Sequence, residues 1–141
     1  MNCDDILELY IDDVKQSLPT SEANNYNVPS TVTIPNNTYI IAAKCWNKLG
    51  GPKGLIGSLI WHGGVDVVTN EDWWCSKTNT ESWTSKQFDV EEESGWAPAI
   101  VISRARESYN GPISVNASYI FASTGSVAYC RINLFDSLVG E

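Results

Sequence analysis

With 141 residues, 43% of them apolar, the chain is long enough to form one domain over residues 1–141 around its own core. Seventeen acidic against nine basic side chains leave a net charge of −8, which argues for solubility and against a phosphate backbone or an anionic lipid surface as partner. No apolar run approaches the ~20 residues of a membrane span, and a single histidine with four scattered cysteines and no CxxC pair argues against zinc.

Residues 4–18 read two ways. Leu7, Ile11, Val14 and Leu18 recur at helical spacing behind Asp4 and Asp5, and this periodicity favours a helix. The same letters also form a strand with Leu7, Leu9 and Ile11 inward and Glu8 and Tyr10 outward, turned by Asp12-Asp13 into Val14-Lys15-Gln16. Residues 19–30, rich in Asn, Ser and Pro, are expected to form an irregular surface loop. A short β run at 31–34 ends in the turn Pro35-Asn36-Asn37, and a strand follows at 38–46 whose Ile40-Ile41-Ala42-Ala43 is too apolar for an exposed edge.

Gly50-Gly51-Pro52 makes 47–54 a loop. Strands are then expected at 55–61 and 65–69, joined by a turn at His62-Gly63-Gly64. The stretch 54–99 holds five of the six tryptophans, spaced too irregularly for a helix face and separated by Gly, Asn and Ser. Large rings delivered from short strands between polar turns read as an all-β, two-sheet antiparallel β-sandwich, and six Trp and six Tyr against one Met lean the same way. At 72–77 a further short strand puts Trp73 and Trp74 on opposite faces, so a buried Trp73 leaves Trp74 outward. Residues 87–95, with Asp89 and Glu91-Glu92-Glu93, read as a solvated loop. Strands at 99–104, 119–122 and 127–134 complete the chain, with a loop at 107–112.

Cys3, Cys45, Cys75 and Cys130 permit two disulfides in three connectivities. The sequons Asn36-Asn37-Thr38 and Asn116-Ala117-Ser118 are compatible with secretion. No signal-peptide pattern precedes Cys3, which leaves a cytosolic protein or a mature or excised domain as alternatives.

The order of motifs carries a resemblance. Gly54-Leu55-Ile56-Gly57-Ser58, Val68-Thr69, Trp73-x-Cys75, Trp83, Phe88-Asp89 and Trp96-x-Pro98-Ala99 resemble the galactose-binding-domain-like jelly rolls. These are found as lectin-type and carbohydrate-binding modules and as accessory domains of glycosidases such as bacterial α-L-rhamnosidases. The flanks are similar too: residues 3–14 to that group's first strand and turn, with Asp13 where the group prefers Gly, and residues 39–47, 117–122 and 127–131 to later strands, with Tyr119 and Phe121 in place of Trp. The resemblance implies that residues 6–11 are a strand rather than a helix. It also implies that Trp73, Trp83 and Trp96 are framework residues and that the disulfides are Cys3–Cys45 and Cys75–Cys130.

The function implied is that of a non-catalytic, lectin-like module that is secreted and binds glycans or glycoproteins. Sugar recognition needs a flat aromatic face and short, fixed polar groups. Three loop candidates offer both: Trp61 and His62 with Asp66; Trp74 near Lys77, Asn79 and Glu81; and Trp46 with Asn47. Calcium is the implied cofactor, with Asp4, Asp5, Asp12 and Asp13, or Asp89 with the three glutamates, as oxygen ligands, although solvation is the plainer role for both runs. The alternative is a structural or adhesive domain that binds another protein or forms a homo-oligomer. A hydrolase is not expected, because Gly57-Ser58-Leu59 lacks the frame of a nucleophile elbow and His62 is the sole histidine.

Overall fold

The computed structural model describes residues 1–18, 29–48, 50–61, 65–91 and 93–135, with the side chains of Trp61 and Val65 outside the description. Residues 19–28 of the loop expected at 19–30, the turn at 62–64 and Glu92 therefore lie outside the described residues. Among the described residues the chain is nearly all-β. Its strands are β1 (Asn2–Asp4), β2 (Ile6–Ile11), β3 (Val14–Lys15), β4 (Ile40–Trp46), β5 (Gly54–Ile56), β6 (Ser58–Trp61), β7 (Val65–Val68), β8 (Trp74–Ser76), β9 (Ala97–Pro98), β10 (Ile100–Val101), β11 (Ile120–Phe121) and β12 (Val127–Asn133). They form a four-stranded sheet in the order β1-β5-β11-β10, a six-stranded sheet in the order β3-β2-β4-β12-β8-β9, and the hairpin β6-β7. Every pairing is antiparallel. No helix among the described residues is long and apolar enough to cross a membrane.

The ambiguous segment at 4–18 is strand, turn and strand. β2 lies along β4 from Ile6 opposite Trp46 to Ile11 opposite Ile41, which buries Leu7, Leu9 and Ile11 and leaves Ile6, Glu8 and Tyr10 half-buried on the other face. The two-residue turn holds Asp12 and Asp13 at φ 44° and 72°, the positive values that a tight hairpin needs and that short polar residues tolerate best after glycine. Asp12 Oδ1 accepts the amides of Tyr39 and Ile40 at 2.9 and 2.8 Å, so the turn is also tied to the start of β4.

Three expected strands differ from what is observed. Residues 31–34 join no sheet; Val32 and Ile34 instead pack as an irregular flank on the core. The run 55–61 divides at Gly57 into β5 and β6, which belong to different sheets. A Cβ on Gly57 would come within 2.8 Å of the Met1 side chain, so the break between β5 and β6 falls where the backbone packs closely against Met1. The run 99–104 pairs only at Ile100–Val101, because the chain changes sheets at the buried Ala99, whose amide bonds the Trp73 carbonyl at 2.8 Å.

Leu7, Leu9, Ile11, Ile41, Ala43 and Ile132 of the six-stranded sheet meet Leu55, Ile120 and Phe121 of the four-stranded sheet in one core, together with Trp73. This is a β-sandwich-like arrangement. Cys3 on β1 is bonded to Cys45 on β4 and so ties one sheet to the other. Cys75 is bonded to Cys130, its direct neighbour across β8 and β12. These are the two pairs that the resemblance implies, each worth on the order of 2–4 kcal/mol. A smaller cluster of Ile56, Ile113 and Tyr119 packs outside the four-stranded sheet. There Gly54, at φ 148°, lets the Tyr119 ring approach to where its own Cβ would be, at 2.8 Å.

Candidate functional site

The outer face of the six-stranded sheet carries the side chains that alternate with the core set. One half of it is covered. Between β8 and β9 the chain returns across the sheet and lays Trp83, Trp96 and Phe88 on Ile40, Ala42, Tyr10 and Tyr129. Trp83 stands edge-on to Tyr10 and Tyr129, at 5.6 and 5.2 Å between ring centres, and stacks on Trp96 at 6.2 Å. Arg131, only 4% exposed, fastens this cover from below. Its Nη1 donates to the carbonyls of Trp83 and Ser85, both at 2.8 Å, and its guanidinium lies 5.4 Å from the centre of the Phe88 ring. Burial pulls its pKa down to about 10, against the opposing charge of Asp89, so the group stays charged at neutral pH.

The other half of this face is open. Ile6 and Trp46 are aligned across β2 and β4 and Glu8 and Lys44 form the next row, with Val127 and Tyr129 of β12 beside them at the edge of the cover. Trp46 is 38% exposed, with the Lys48 ammonium 5.5 Å from its ring centre. The Glu8 carboxylate accepts the Tyr10 hydroxyl at 2.8 Å and forms ion pairs with the Lys44 and Lys15 ammonium groups at 3.6 and 3.7 Å. Burial disfavours its charge, but the Tyr10 hydroxyl and the two ammonium groups outweigh that and hold its pKa below the ordinary value. Burial and this same bond push the Tyr10 hydroxyl up to about 12. The result is a half-exposed indole on a flat sheet face beside a fixed, charged hydrogen-bonding group.

No family model matches the chain, and no curated protein or solved structure matches it.

The candidate residues are not brought together into one site. Trp46 lies on the open half, but Asn47 turns inward beyond the strand and is 8% exposed. Its amide donates to the Ser126 carbonyl at 2.7 Å and its Nδ2 to the Gly51 carbonyl at 3.2 Å, while Oδ1 is buried with no partner among the described residues. Trp73 is buried in the core and Trp74 lies on the opposite, outer face as alternation predicts, but Trp74 is not exposed there. It is half-buried at the margin of the cover, because the chain folds back over the face it occupies. Asn79 is exposed in the turn after β8. Asp66 is exposed on β7 and accepts the Ser114 hydroxyl at 2.6 Å. Trp61 is placed as the last residue of β6, and His62 lies outside the described residues.

The four aspartates do not form a calcium site as a group. Asp4 and Asp5 precede β2, while Asp12 and Asp13 follow it, so six strand residues, about 20 Å, separate the pairs. Asp4 contacts Arg104 Nη2 at 3.0 Å. Burial and a hydrogen bond with the Asp5 carboxyl push its pKa up to about 6 in spite of that arginine. Asp12 and Asp13 are engaged by the hairpin turn and by the Thr84 hydroxyl, respectively. Among the described residues no group of three or more His, Cys, Asp or Glu side chains is close enough to share a metal ion, and this includes Asp89, Glu91 and Glu93.

A cavity of about 170 Å³ opens at the opposite end of the sandwich from Trp46, lined by Leu9, Ile11, Ile34, Ile41, Val67 and Trp73 among others. Its wall is mainly apolar and offers few groups to hydroxyl-rich ligands. Sequence reasoning missed Glu8 and Lys44 as site residues. The signal was present in the alternation of β2, which marks Glu8 as outward, but only the register with β4 sets it beside Lys44 and one row from Trp46.

Proposed function

We propose that this chain is a non-catalytic, extracellular β-sandwich module of the galactose-binding-domain-like jelly-roll type that binds glycans on the open half of its six-stranded sheet. The observation that carries the reading is the half-exposed Trp46 ring on the same flat face as the Glu8 carboxylate held by Tyr10, Lys44 and Lys15. The indole takes the C–H face of a sugar ring, and Glu8 and Lys44 take its hydroxyls. Such a shallow site gives single-site affinities in the millimolar to micromolar range, and repeated copies raise them through avidity. Two disulfides suit an oxidising compartment, and the sequon asparagines Asn36 and Asn116 are exposed on turns. A glycan array probed with the wild-type chain and with Trp46→Ala tests the reading, with and without added calcium. At least one glycan should bind the wild type and lose ~10-fold or more in affinity in the variant. An array with no hit, or equal binding by the variant, overturns it.

One observation favours an adhesive role instead. Ile60 on β6 and Val115 in the adjoining loop are 80% and 83% exposed, and that loop is pinned to the hairpin by the Ser114 amide on Ser58 Oγ at 2.9 Å. A second copy of the chain docked there would bury both side chains. Sedimentation that is concentration-dependent, insensitive to free sugar and abolished by Ile60→Asp would support this second reading.

A further inference from the structure

The chain carries a surplus of eight negative charges, yet its lysines are not dispersed. Asn47 bonds Ser126 through its backbone and so places Lys48 beside the exposed turn at 123–126. Lys53 donates from Nζ to the Gly125 carbonyl of that turn at 3.2 Å. Lys77 flanks it from the other side, its Cβ about 4.0 Å from where a side chain on Gly125 would begin. Three lysines thus border one turn next to Trp46: Lys53 bonds it, the Lys77 stem packs near it, and the Lys48 ammonium lies over the Trp46 ring. Lys48 and Lys77 are exposed, and among the described residues no carboxylate is within ion-pair distance of any of the three. The nearby acids are already engaged, Glu8 by Lys15 and Lys44 and Asp4 by Arg104. The turn adds the hydroxyls of Ser123, Thr124 and Ser126, all on exposed residues.

In so acidic a chain, three neighbouring cations without counter-charges form a local positive field inside a repulsive one. That pattern admits a short anionic segment and disfavours a long polyanion such as a nucleic acid or a membrane surface. We infer that the glycan bound beside Trp46 is anionic, carrying sulfate or carboxylate groups that Lys48, Lys53 and Lys77 receive around the turn at 123–126. This rests on the glycan-binding reading above and adds the substrate class.

The test uses the full chain and a panel of glycosaminoglycan hexasaccharides, each paired with its desulfated and carboxyl-reduced form, at 50 and 300 mM NaCl. At least one anionic member should bind ~10-fold or more tightly than its neutralised partner and weaken ~5-fold or more at the higher salt. Lys48→Gln/Lys77→Gln should erase that preference with an unchanged melting temperature, since both side chains are exposed, and Lys48→Arg/Lys77→Arg should restore it. Equal affinity for charged and neutralised partners, or indifference to the glutamine variant, overturns the anionic assignment. If Trp46→Ala still abolishes binding in that case, the glycan reading itself stands. No binding to any member by the wild type removes this inference, while the broader array decides the reading beneath it. Tighter binding to phosphatidylserine vesicles than to every hexasaccharide also overturns it.

Discussion

The covered and open halves of the six-stranded sheet are built on the same three central strands, yet they differ in what lies above them. Over Tyr10, Ala42 and Arg131 the chain returns with Trp83 and Trp96 buried and Phe88 half-buried, so side chains from what would otherwise be a solvated surface become a second core. Over Ile6, Glu8, Lys44 and Trp46 none of the described residues forms such a cover, and the side chains there neutralise one another in the plane of the sheet. An outward tryptophan can therefore be framework or platform. What separates Trp83 from Trp46 is the path of the connecting segment rather than the residue type.

That comparison can be broken first with paired tryptophan substitutions. Trp83→Ala removes a buried ring packed on Tyr10, Trp96 and Tyr129, and about 3–5 kcal/mol of stability should go with it in a urea titration. Arg131→Met should cost about 2–4 kcal/mol, because the carbonyls of Trp83 and Ser85 lose their donor inside the protein. Hydrogen exchange should then quicken in the cover and stay unchanged along β2. Trp46→Ala should cost less than ~1 kcal/mol while removing glycan binding, and a loss as large as that of Trp83→Ala would erase the distinction between the halves.

The smallest effect belongs to Glu8. Its pKa is lowered on folding, so its contribution is complete above its ordinary value of 4.5 and is lost as pH falls through the folded value. Wild type should therefore lose slightly more stability than Glu8→Gln between pH 7 and pH 3, with the gap narrowing in high salt.

Part of the architecture was legible because alternation is a local property. Leu7, Leu9 and Ile11 announce an inward face wherever β2 pairs, and the apolar run of β4 marks a strand covered on both sides. The helical spacing of Leu7, Ile11, Val14 and Leu18 was misleading. It spans a hairpin turn, and the resemblance, not the periodicity, pointed to the strand. Residues 31–34 have strand-like letters but no partner, since pairing is decided by which edges are free. Trp74 shows the same limit, because alternation orients a side chain without saying whether another segment will lie over it.

By itself the sequence determined the all-β class, a central strand at β4 too apolar for an edge, and a chain too acidic to favour polyanions over its whole surface. These follow from composition and from short runs of residue type, which are local. Only the tertiary structure decided that Glu8 meets Lys44, that Trp83 is sealed while Trp46 is open, and that three lysines distant in the chain share one turn. Those facts depend on strand register and on the route of long connections, and both are settled by packing among residues far apart in the chain.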